Sequence, residues 1–164
     1  MRPAAITSPT IDAGSPADRS RSSALARSAG WSAAAILVGM SGVYSYWAAG
    51  GEWATDPTFS PRFSPLLQGG VLCILMIGSA ALLLARAGIP VVPVPRPLLR
   101  VGPGALAGAF AVIGLSNLLA PHGTYASNWQ IYVFEPLLLV LAVLCSIVGG
   151  AEPARDEPAS RASV

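Results

Sequence analysis

The sequence predicts an all-α fold, a four-helix transmembrane bundle with both termini on the cytoplasmic side. Three observations lead there: four long apolar runs separated by polar or Pro-rich segments, a composition of 53% hydrophobic and 11% charged residues with a mean hydropathy of +0.59, and an arginine distribution that favours one side of those runs. A soluble domain of 164 residues needs a polar surface that this composition cannot build. Its apolar side chains must therefore face lipid.

Residues 1–28 mix Ser, Pro, Ala, Asp and Arg without apolar periodicity and read as a disordered cytoplasmic tail. The membrane domain spans residues 29–150. Its first span, residues 31–49, is a chargeless run of 19 residues, about 28 Å as a helix, which matches the hydrocarbon thickness. A cleaved signal peptide is the competing reading, but Tyr46 and Trp47 at the boundary spoil a small-residue cleavage site. The Gly50-Gly51 pair then supplies the left-handed cap that turns the chain out of the helix.

The second span, residues 65–85, opens on Pro65, a residue suited to the first helical position, and closes at Arg86. Residues 87–102 carry Pro90, Pro93, Pro95 and Pro97, which predict a stiff extended connector. The third span covers residues 103–120 and contains Gly104-x-x-x-Gly108, a pattern that lets another helix backbone approach closely. The fourth covers residues 129–150, and residues 151–164 form a second polar cytoplasmic tail. Phe63-Ser-Pro-Leu-Leu67 before span two matches Phe134-Glu-Pro-Leu-Leu138 before span four at an offset of 71 residues. Taken as a duplication rather than chance, the match makes the bundle two tandem helical hairpins.

Orientation follows from arginine, since cytoplasmic flanks hold the excess of basic residues. Arg2, Arg19, Arg21 and Arg27 precede span one, Arg86, Arg96 and Arg100 separate spans two and three, and Arg155 and Arg161 follow span four. Only Arg62 lies on the other side. The expected location is a bacterial inner membrane, with the lipid bilayer as the first partner; ten Arg and no Lys suit a GC-rich bacterial genome. A net charge of +2 dispersed among apolar segments excludes nucleic acid as a partner.

With that topology, seven of the eight Trp and Tyr residues gather at the outer end, either as interfacial anchors or as an aromatic cap over the bundle. The uncharged polar residues of the spans follow them: Tyr46, Gln68 and Asn117 each lie three residues, about 5 Å, from the outer ends of spans one, two and three. Such groups either glue helices together or line a small pocket. Glu135 admits two placements. If Pro136 is the first helical residue, Glu135 caps the helix in the interface. Residues 136–150 span only about 22 Å, however, so a helix that starts near Trp129 and bends at Pro136 is favoured, with Glu135 facing the bundle interior level with Tyr46, Gln68 and Asn117. These four residues form the candidate outer ligand pocket, and Gly104 and Gly108 the candidate helix-packing face.

No catalytic set emerges. Cys73 and Cys145 lie in separate apolar runs without metal-ligand spacing and are expected to stay free thiols at different depths. His122 stands alone in a loop, so neither a metal nor a cofactor is called for.

Tyr46-Trp-Ala-Ala-Gly-Gly51, Ala85-Arg-Ala-Gly88, Pro97-Leu-Leu-Arg100, Asn117 and Phe134-x-Pro136-Leu together resemble an uncharacterised family, a domain of unknown function found in small bacterial four-span membrane proteins. The resemblance covers roughly residues 31–150 and implies architecture alone.

Three functions follow as expectations. The first is a non-enzymatic membrane component that binds a lipid-like ligand or a membrane protein partner at its outer end, which best fits the absence of an assembled catalytic group. The second is a small homo-oligomeric transporter or channel, favoured by the duplication and opposed by the lack of charge deep in the spans. The third is an enzyme acting on a lipid or quinone, for which Glu52, Asp56, Arg62, His122 and Glu135 would have to supply the acid, base and anion-binding groups.

Overall fold

A computed structural model describes residues 16–51, 65–89, 92–119 and 130–151, with the backbone alone at residues 16, 19, 65–69, 130 and 131. All regular structure among them is helical: α1 (Pro16–Ala48), α2 (Pro65–Arg86), α3 (Arg96–Leu119), and a single π-helical turn (Gln130–Phe134) that runs into α4 (Glu135–Gly150). The expected all-α architecture is therefore present. Two segments, Arg96–Leu119 and Tyr132–Gly150, are long and apolar enough to cross a membrane, and Gly70–Arg86 is a shorter apolar helix.

Helix α1 begins at Pro16, well inside the stretch expected to be a disordered tail. Pro16 suits a first turn, Asp18 complements the positive end of the helix dipole, and Ala24, Ala26 and Ala29 have the highest helix propensity. Ala26 and Ala29 are also buried, which ties this extension to the bundle. At the other end Gly50 adopts φ 90°, and the Gly51 and Gly50 amides donate to the carbonyls of Tyr46 and Trp47 at 2.9 and 3.0 Å. This is the left-handed cap expected from the glycine pair. Helix α2 ends in the same way, with Gly88 at φ 82° and the Ile89 and Gly88 amides donating to Leu84 and Ala85.

The Pro-rich connector is shorter than the sequence suggested, because α3 starts at Arg96 rather than at residue 103. Pro97 falls in the first turn, where an amide has no intrahelical acceptor to lose. Pro103 sits inside the helix and is fully buried. It forfeits one backbone hydrogen bond but packs against Gly149 of α4, where a Cβ would come within 3.4 Å of the Pro103 Cβ.

The helices alternate in direction around a closed ring. A Cβ on Gly30 of α1 would lie 2.8 Å from the Cβ of Ala87, just beyond α2, and 3.9 Å from Val148 of α4. Gly102 of α3 abuts Leu82 of α2. The opposite end of α1 meets the opposite end of α4, where the rings of Trp47 and Phe134 are 5.7 Å apart. Between these ends the core is formed by Ala33, Leu37 and Met40 of α1, Met76, Ala80 and Leu83 of α2, Ala107 of α3, and Leu141, Cys145 and Val148 of α4.

Candidate functional site

The two ends of the bundle differ chemically. At the end where α2 and α4 finish, Arg86 reaches across to α4, its Nη2 donating to the carbonyls of Ala151 at 2.5 Å and Gly149 at 3.4 Å. No basic residue lies in the last turn of α4, so this arginine of a neighbouring helix meets the negative end of its dipole.

The other end is aromatic and holds the one described carboxyl group apart from Asp18. Tyr44 and Trp47 occupy one face of α1, three residues apart, with their rings edge to face at 5.3 Å. Trp47 also packs against Phe134, the last residue of the π turn. The next residue, Glu135, is buried, with 3% of its surface exposed, and its Oε2 has no hydrogen-bond partner among the described residues.

Local backbone chemistry explains why Glu135 sits there. Pro136 has no amide to donate to the preceding turn, and its ring crowds that turn. The chain accommodates it by widening into a π turn over residues 130–134 instead of ending the helix. Helical structure thus continues upstream of Pro136, as favoured by the length of the fourth run, and Glu135 is carried into the interior rather than left at an exposed helix start.

The seam between α3 and α4 fixes its level. Gly149 lies against Pro103 and Gly104, and Gly114 lies against Leu138 and Leu139, in one antiparallel register. Continued by one turn, that register brings Glu135 level with Asn117, which is half-buried. The seam between α1 and α4 brings it level with Tyr44 and Ser45 in the same way.

The other expected pocket residues fare differently. Tyr46 is 47% exposed, and its ring covers Gly51, where any Cβ would overlap it. It belongs to the cap of α1, and Tyr44 and Trp47 take the inward positions because they share a helix face that residue 46 does not. The side chain of Gln68 lies outside the described residues, as do Glu52, Trp53, Asp56, Arg62, His122, Tyr125 and Trp129. The ring cluster of Tyr44, Trp47 and Phe134 was not among the residues expected at this site, although the spacing of Tyr44 and Trp47 carried the signal for one shared face.

At Gly104 and Gly108 the expected packing role is not met by the side-chain position, since a Cβ at either would meet nothing within 4 Å among the described residues, although the backbone of Gly104 lies against Gly149. The tight approaches are at Gly30, Gly102, Gly114 and Gly149. Gly108 instead lines an open trough of about 590 Å³ on the α3/α4 seam, floored by Ala107 and Ala142 and flanked by Ala111, Val143 and Ser146.

Midway along the α1/α2 seam, the Cys73 thiol lies 2.8 Å from Ser41 Oγ and 3.3 Å from Ser45 Oγ. Ser45 donates its own hydrogen to the Ser41 carbonyl, so the thiol can donate in turn. Both cysteines are free, and Cys145 is buried on α4.

Among the described residues these groups offer one apolar trough and one buried carboxyl at the end that carries the aromatic cluster, and no trio of His, Cys, Asp or Glu that could hold a metal ion. No protein-family model, curated protein or solved structure matches the chain.

Proposed function

We infer that this chain is a non-enzymatic integral membrane protein that crosses a bacterial inner membrane four times, with both termini cytoplasmic, and holds a lipid-like ligand at its outer, aromatic end. Its solvent-facing chemistry supports the membrane assignment. Only 17% of the apolar window of α3 and 28% of that of α4 is buried inside the bundle. The outward faces carry Ile74, Val101, Val112, Leu119 and Val143, all more than half exposed. A water-soluble bundle would bury such side chains; lipid takes them without cost. The likeness to small four-span membrane proteins of unknown function belongs to the same reading.

The observation that carries the ligand assignment is Glu135. A carboxyl group withdrawn from water without a hydrogen-bond partner costs stability, and such groups inside membrane bundles mark functional positions. Its companions Tyr44, Trp47, Phe134 and Asn117 resemble the lining of a small-molecule site, mostly apolar with a few polar groups.

Two measurements test this. In intact cells, single cysteines introduced at Thr55 and Ala126 in a background lacking Cys73 and Cys145 should react with an impermeant reagent, whereas one at Ser160 should not; protection of the first two would overturn the topology. Lipid extraction of the purified protein should recover a stoichiometric amphiphile that the Glu135→Gln variant retains poorly. Equal retention by both proteins would remove Glu135 from the site.

A further inference from the structure

Resting on the reading of a lipid-like ligand at the aromatic end, we propose that the polar head of that ligand is an organic ammonium group, held by the carboxylate of Glu135 and the rings of Tyr44, Trp47 and Phe134. The buried Oε2 has no hydrogen-bond partner among the described residues, and the arginines whose side chains are described, Arg21, Arg27, Arg86, Arg96 and Arg100, all belong to the opposite end or its flank. Among the described residues no cation reaches this carboxyl, and that part is assigned to the ligand.

The surroundings select the kind of cation. A hard metal ion seeks six or more oxygen ligands, whereas the described residues of this end offer a single carboxyl beside the clustered rings of Tyr44, Trp47 and Phe134. Aromatic faces attract weakly hydrated organic cations, and ammonium ligands are commonly recognised by aromatic side chains of this kind. Trp47, with the largest ring, stands between Tyr44 and Phe134 at 5.3 and 5.7 Å, so three rings form one continuous wall. Phe134 links that wall covalently to Glu135, and the π turn sets the direction of both. The apolar trough lined by Ala142 and Val143 opens on the seam about 10 Å further along α4 from Glu135, at the depth of a hydrocarbon chain whose head lies at the aromatic end.

The test uses the full-length protein in nonionic detergent, with tryptophan fluorescence as readout and Trp47→Phe as the background for the other tryptophans. The probes are dodecyltrimethylammonium, dodecanol with the same chain and no charge, and tetramethylammonium with the charge and no chain. Dodecyltrimethylammonium should produce a saturable change, and Glu135→Gln should weaken it by about ten-fold, or about 1.4 kcal/mol. Should Glu135→Gln fail to fold, competition by tetramethylammonium against the cationic amphiphile, present in the native chain and lost in Trp47→Leu, gives the same information. Dodecanol bound as tightly as the cation, with no effect of Glu135→Gln, would overturn the ammonium head while leaving a lipid-like ligand in place. Binding of neither amphiphile would overturn both. Tetramethylammonium alone bound as tightly as its long-chain analogue would uphold the ammonium site and assign it to a soluble amine.

Discussion

Arg86 of α2 donates to the carbonyl of Ala151, the residue just past the end of α4, and so ties the second helix to the fourth. The relationship supplies α4 with the positive group that its own last turn lacks. We expect Arg86→Gln to destabilise the bundle by about 1 to 3 kcal/mol, read as a lower unfolding temperature in detergent, because a charge-assisted hydrogen bond to an otherwise unpaired helix terminus is lost. Arg86→Lys should recover part of it. An unchanged unfolding temperature for Arg86→Gln would mean that water or lipid headgroups serve the carbonyls equally well.

At the same end, Gly30 lets α1 come close to Ala87. A methyl group on Gly30 would lie 2.8 Å from the Ala87 Cβ and 3.5 Å from the Leu83 carbonyl oxygen. Gly30→Leu should therefore force the two helices apart and cost at least about 2 kcal/mol, whereas Gly108→Leu, which meets open space, should cost under about 1 kcal/mol. Comparing the two variants by thermal unfolding checks the assignment. Equal costs would show that the seams are not packed as described.

This contrast shows what the sequence could and could not reveal. Apolar run lengths located the helices, and the Gly50 turn was legible because a left-handed residue after a helix is a local requirement. Helix phase was not legible. Gly104-x-x-x-Gly108 reads as a packing face from spacing alone, but which side of a helix meets a neighbour is decided by all four helices together, and here an added Cβ would crowd a neighbour at Gly30, Gly102, Gly114 and Gly149 rather than at Gly104 or Gly108. Tyr46 and Trp47 differ by one position and about 100° of azimuth, enough to turn the first onto Gly51 and the second onto Phe134. The burial of Glu135 was anticipated because it followed from a length argument. The π turn that achieves it was not, since a missing Pro136 amide can be absorbed by a helix end, a bend or a widened turn.

The two thiols lie on different helices in different surroundings, Cys73 between Ser41 and Ser45 of α1 and Cys145 in the central core. Both are free, so alkylation after unfolding without reductant should add two labels to every chain, as read by mass spectrometry. A species lacking two hydrogens and taking up no label would show a bridge, and with it a different pairing of α2 and α4.

Glu135 offers the sharpest separation of stability from function. Its Oε2 is buried without a partner among the described residues, so in the ligand-free protein the group withdraws a polar atom from water and receives nothing in return. Replacing such a group by an apolar one of similar size removes that cost, whereas replacing a paired group leaves its partner unsatisfied. Glu135→Met keeps the length and flexibility of the side chain and suits the apolar neighbours Phe134 and Leu138. We therefore expect Glu135→Met to unfold at a higher temperature than the native chain once bound lipid has been stripped away, by an amount equivalent to about 1 to 3 kcal/mol. Adding back the cationic amphiphile should raise the unfolding temperature of the native chain, through preferential binding to the folded state, and leave that of the variant unchanged. A variant less stable than the stripped native chain would show that Glu135 is paired within the protein itself, and its place would be structural.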